Sequence, residues 1–141
     1  MPRADFYLIA TPRFRDQPLR LVCELARKAC DAGHWTLVLA RDHAQAEALD
    51  DLLWDMGDDV YIPHQIAGAD IEDEDAAVLI APPEVDAALR PLVINLRDAP
   101  VAGSFERVLE VVPADESARG PLRERWKQYQ ARGLELNKYD M

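Results

Sequence analysis

Short apolar runs alternate along this chain with longer stretches whose apolar residues recur at helical spacing. Ala4 to Ala10 (ADFYLIA) is rich in strand formers and stops at Thr11-Pro12, which predicts a buried strand. Trp35 to Ala40 (WTLVLA), Val78 to Ala81, Leu92 to Leu96 and Arg107 to Val112 (RVLEVV) have the same character. Between the first two runs, Asp16 and Pro18 open a predicted helix and Gly33 closes it, with Leu19, Val22, Cys23, Ala26 and Cys30 along one stripe. Asp42 is placed to cap a second helix ending at Gly57, with the stripe Leu49, Leu52, Leu53 and Met56. A last helix follows Pro113-Ala114-Asp115. Strands alternating with helices predict an α/β fold, mostly parallel, with both faces of the sheet covered. No internal repeat or interdomain linker breaks the pattern, so residues 1–141 are expected to form one domain. Gly68 to Asp75 (GADIEDED) reads as a polar, mobile loop.

One aromatic residue breaks the second helix's pattern. At about 100° per residue, Trp54 lies far around the helix from the Leu49, Leu52, Leu53, Met56 stripe. Such a residue is either covered by the following loop or offered to a partner, and tryptophan is over-represented at interface hot spots. Tyr61 and Pro63 follow closely, so the three suggest one apolar surface patch.

Charge narrows the function classes. The formal net charge is −10, and from Asp42 to Asp86 there are fourteen Asp and Glu with no Lys or Arg. From Ser117 to Lys138 the balance reverses, with six basic residues and two acidic. An acidic side of this size repels a polyanion, which disfavours direct nucleic-acid binding; the basic end attracts an anion. No apolar run reaches membrane-spanning length and the N-terminus lacks a signal-peptide pattern, so a cytoplasmic protein is expected, with no membrane partner. Cys23 and Cys30, about two helical turns apart, are too distant for a disulfide and read as buried thiols.

A parallel α/β fold often binds nucleotides, yet neither G-x-G-x-x-G nor G-x-x-x-x-G-K-[ST] occurs. The loop Thr11-Pro12-Arg13-Phe14-Arg15 has no glycine to let the backbone approach a phosphate. His34, His43 and His64 lack metal-ligand spacing, and the Glu72 to Asp75 run lacks a calcium loop's glycine and ligand spacing. Ser104 and Ser117 have no histidine nearby in sequence. No catalytic residue, metal or cofactor is expected. A nucleotide-binding or enzymatic domain of flavodoxin-like topology is the competing class.

The basic end carries the strongest pattern. In Arg119-Gly120-Pro121-Leu122-Arg123-Glu124-Arg125-Trp126-Lys127-Gln128-Tyr129, Arg119, Arg123 and Lys127 fall at i, i+4 and i+8 with Trp126 beside them. Like charges at that spacing cost a helix a few tenths of a kcal/mol per pair. A cationic ridge next to an apolar ring suits a ligand with acidic and aromatic parts; the plainer alternative is a solvated basic helix face.

These residues also carry a resemblance. ADFYLIA, then Leu53-Trp54 with Tyr61-Ile62-Pro63-His64-Gln65-Ile66-Ala67-Gly68, then Arg123-Glu124-Arg125-Trp126-Lys127-Gln128-Tyr129 through Gly133 and Leu136-Asn137, together resemble the chi subunit of bacterial DNA polymerase III over essentially the whole chain. The resemblance implies a Rossmann-like, three-layer α/β fold without a nucleotide. It implies a non-catalytic DNA-replication subunit of the clamp loader, which links the loader, through a small partner, psi, to the single-stranded-DNA-binding protein. That protein's acidic tail ends in Pro-Phe, and DNA is reached only indirectly. Carried over by position, the tail-binding residues are Val112, Arg119, Arg123, Trp126, Lys127 and Leu136, and the psi-type surface is Trp54, Tyr61 and Pro63. Trp126 stands where relatives often have Tyr, and Tyr61 where they have Phe. Gly120-Pro121 departs from the pattern and threatens to delay the helix and move Arg119 off the ridge.

Overall fold

A computed structural model describes residues 2–56, 62–68 and 76–141. Strands β1 (Arg3–Leu8), β2 (Thr36–Leu39), β3 (His64–Ile66), β4 (Val78–Ala81), β5 (Leu92–Asn95), β6 (Arg107–Val112) and β7 (Glu135–Asp140) form one sheet in the order β3-β4-β2-β5-β6-β1-β7. Every neighbouring pair is parallel, as the alternating pattern predicts. The interior strands β4 and β5 are buried along their whole length, which is why they read as continuous apolar runs.

Helices α1 (Pro12–Asp16), α2 (Pro18–Asp31) and α3 (His43–Trp54) cover one face. On the other face lie α4 (Arg119–Ala131) and, beyond it, Val85, Ala87 and Leu89 of the segment between β4 and β5. This is a Rossmann-like α/β arrangement. Among the described residues no helix is long and apolar enough to cross a membrane.

Local signals explain the helix limits. The Asp42 carboxylate accepts from Gln45 N at 2.7 Å, capping α3 as expected. Gly33, at φ +77°, takes the chain out of α2 in a conformation that other residues rarely adopt. The buried arc of α2 is Leu21, Val22, Cys23, Leu25, Ala26 and Ala29, while Leu19 and Cys30 lie at its half-buried margin. Cys30 is therefore not the buried thiol expected; Cys23 is. Burial pushes the Cys23 thiol up to about 11 and raises that of Cys30 as well.

Three elements differ from the sequence reading. The segment after β1, read as a loop, opens with the short helix α1, started by Pro12 and anchored by the buried Phe14. β3 has only three residues, none fully buried, and β7 (ELNKYD) is a largely exposed edge strand, so neither has an apolar pattern to announce it. The expected end of the second helix at Gly57, residues 69–75 of the acidic loop and Tyr61 lie outside the described residues.

Candidate functional site

The basic stretch folds as α4, which begins at Arg119. Gly120 and Pro121 sit inside its first turn. A proline is tolerated there because that turn's N–H groups have no intrahelical partner. The helix start is not delayed, and Arg119, Arg123 and Lys127 form an exposed ridge.

The opposite side of α4 is fastened to the sheet by a buried polar network. Arg125 Nε lies 2.9 Å from Glu110 Oε1 of β6. Tyr129 Oη donates to Glu110 Oε2 at 2.6 Å and accepts from Val101 N at 2.8 Å. Asn95 Nδ2 donates to both Glu110 oxygens, and an Arg125 terminal nitrogen donates to Asp98 O at 3.0 Å. Burial raises the Glu110 carboxyl; Arg125 and the hydrogen bonds from Tyr129 and Asn95 oppose that shift. Burial and the neighbouring Glu110 carboxylate raise the Tyr129 phenol far above its ordinary value. Arg125, one of the six cations of the basic end, is thus structural and unavailable to a ligand.

With Arg125 and Tyr129 turned inward, Leu122 and Trp126 lie at the margin of α4 over β1. They bound a groove of about 280 Å3 together with Phe6, Leu8, Arg123, Lys127 and Lys138. The Trp126 and Phe6 rings meet with centroids 5.1 Å apart. Lys138 is in register with Phe6 across the β1–β7 ladder, so the edge strand supplies a cation opposite the helix ridge. Among the described residues no carboxylate lines the groove. Among the described residues no ion pair engages Arg119, Arg123, Lys127 or Lys138.

Of the expected tail-binding residues, Arg123, Trp126 and Lys127 come together at this groove. Arg119 continues the ridge one turn away and does not line it. Val112 is buried and Leu136 half-buried in the apolar cluster beneath, with Phe6, Leu122 and Trp126, so both support the floor without lining it. Phe6, Leu8, Leu122 and Lys138 complete the lining and are not among the residues expected from the sequence. The alternation of Ala4, Phe6 and Leu8 on one strand face and the i, i+4 spacing of Leu122 and Trp126 were available signals. Nothing local marks Lys138.

A second surface lies at the other end of the sheet. Trp54, the last residue of α3, is 63% exposed, as its position off the buried stripe predicts. Its ring rests on His64 with centroids 4.8 Å apart. The His64 imidazole is almost wholly buried; its Nδ1 donates to Ile62 O at 2.7 Å. Its Nε2 stands 3.2 Å from Asp50 Oδ1 without the alignment of a hydrogen bond. Pro63 is half-buried next to His64.

A sheet of this kind also has a usual place for a ligand crevice. It opens where neighbouring strands send their connections to opposite faces. One such point lies between β1 and β6, and the crevice there, of about 430 Å3, is lined by Ile9, Phe14, Arg15, Pro18, Pro113, Ala114 and Asp115. Among the described residues no glycine lines it, and the nearby cations are engaged. Arg15 donates to Ala10 O, Arg13 pairs with Glu24, Arg41 with Asp98, and Arg97 donates to Ala40 O and Ala81 O. Among the described residues no group of His, Cys, Asp and Glu has the arrangement of a metal site.

The family model of the DNA polymerase III chi subunit, HolC, matches residues 1–137. The chain belongs to the DNA polymerase III chi subunit family. It is 35% identical to the DNA polymerase III subunit chi of Pseudomonas aeruginosa over 140 residues, covering 96% of this chain and 94% of that one. It is 31% identical to the Escherichia coli subunit over 142 residues, covering 97% of each. It is 27% identical to the Haemophilus influenzae subunit, covering 95% of this chain and 94% of that one. In this chi-family chain the groove beside α4 and the Trp54 surface are the features that the fold itself does not require.

Proposed function

We propose that this chi-family chain is a non-catalytic accessory subunit of the clamp loader that captures the acidic C-terminal tail of single-stranded-DNA-binding protein in the groove beside α4. The observation that carries the reading is an apolar floor walled by cations that, among the described residues, have no ion-pair partner and no carboxylate beside them in the lining. An apolar cavity of about 150 Å3 holds a benzene ring, so 280 Å3 leaves room for a terminal phenyl group. Burying that ring is worth roughly 1.5–3 kcal/mol, and the tail's carboxylates meet Arg123 and Lys127. The Trp54 surface, at the far edge of the sheet, is left for psi or an equivalent partner. Tail and partner then bind independently, which is what a bridge requires. DNA is reached only through the tail's owner, because a chain of net charge −10 repels it.

The test is fluorescence anisotropy with a labelled acidic peptide ending in Pro-Phe. Wild type should bind saturably, R123E should bind about ten- to a hundredfold more weakly, and a peptide lacking the final Phe should bind poorly at any salt. Equal binding by R123E would move the site elsewhere. Equal binding of the truncated peptide would reduce the effect to nonspecific charge attraction.

A further inference from the structure

The ridge of α4 forms only one wall of the groove. The other is β7, an edge strand that presents Lys138 beside Phe6 and opposite Arg123 and Lys127. Arg119, the third cation of the ridge, stands outside the lining. Lys138 has no ion pair among the described residues, and its strand has a neighbour on one side only.

The geometry points to Lys138 as the specificity-determining cation of the second wall, so that an acidic peptide is gripped from both sides. This inference rests on the groove being the tail site, as proposed above. It also says something about the peptide. Successive side chains of an extended chain point to opposite sides. Two adjacent acidic residues upstream of the buried aromatic ring therefore reach both walls, one toward the helix and one toward Lys138. Two acidic residues separated by one position address a single wall. The groove should select the adjacent pair.

The experiment titrates labelled peptides ending in Pro-Phe, with two Asp either adjacent or separated by Gly, against wild type, K138A, K138E, K138R, R119E and R123E. Circular dichroism checks that each variant is folded. Wild type should prefer the adjacent pair. Exposed ion pairs are individually weak, so K138A should lose about two- to fivefold and K138E more, while K138R should retain binding. K138E should lose its preference for the adjacent pair and should lose more affinity than R119E. On K138E, a peptide with one of the adjacent Asp changed to Lys should bind better than the parent peptide. If R123E loses binding while K138A and K138E bind as wild type, Lys138 takes no part and the groove reading survives. If R119E costs more than K138E, the grip is one-walled. If R123E itself binds as wild type, the groove reading fails and this inference with it.

Discussion

Glu110 and Arg125 meet 2.9 Å apart between β6 and α4, both almost entirely shielded from water. The pair, with Tyr129 and Asn95 closing around the same carboxylate, decides which side of α4 faces inward and therefore which side forms the groove. Breaking a buried pair by removing one partner leaves an uncompensated charge and typically costs about 3–5 kcal/mol. R125A should show a loss of that order in urea denaturation, whereas R123A, two residues away and exposed, should stay within about 0.5 kcal/mol of wild type. Equal effects of the two would mean that Arg125 is solvated.

The groove floor should be separable from its charge. Trp126→Phe keeps a ring against Phe6 and should preserve most peptide affinity, while Trp126→Ala opens the floor and should lower it at low and high salt alike. R123E should instead flatten the salt dependence of binding, because the contact it removes is screened by ions. A salt dependence unchanged by R123E would separate the cation from the ligand.

Trp54→Ala should change stability by no more than about 1 kcal/mol, since the ring is 63% exposed and rests on one imidazole. It should abolish binding to a psi-type partner and leave the acidic peptide's affinity unchanged. A loss of 3–5 kcal/mol, the order expected for emptying a core aromatic site, would show that Trp54 holds the fold.

The thiols supply a pH prediction. Cys23 is raised to about 11 in the folded chain from an ordinary value of 9.0. Its contribution to stability is full below the unfolded value and is lost as pH rises through about 11. At pH 8 its thiolate fraction is of order 0.1%, so native alkylation should label Cys30 first and Cys23 only on unfolding. Mass spectrometry of iodoacetamide-treated protein checks this; equal labelling of both would contradict the burial of Cys23.

Direct affinity for single-stranded DNA should be weak. A fluorescence titration of a labelled oligonucleotide with this protein alone, at moderate salt, should show no saturation in the low micromolar range. Saturable binding there would make the basic ridge a nucleic-acid site and remove the need for a bridging protein.

The sequence by itself determined the alternation of strands and helices, the Asp42 cap, the exit of α2 at Gly33 and the off-stripe position of Trp54. Each is a local matter of period or backbone conformation, readable within a few residues. It also placed Arg123, Trp126 and Lys127 beside one another, because helical spacing is itself local. Only the tertiary structure decided that Arg125, in the same basic run, is spent on Glu110, since that choice depends on a carboxylate from a distant strand. Likewise, Phe6 and Lys138 belong to the groove because β7 returns beside β1, a pairing between opposite ends of the chain. The polar segment ELNKYD carries no apolar period to announce a strand, because an edge strand is held by its neighbour's backbone and leaves many of its side chains in water.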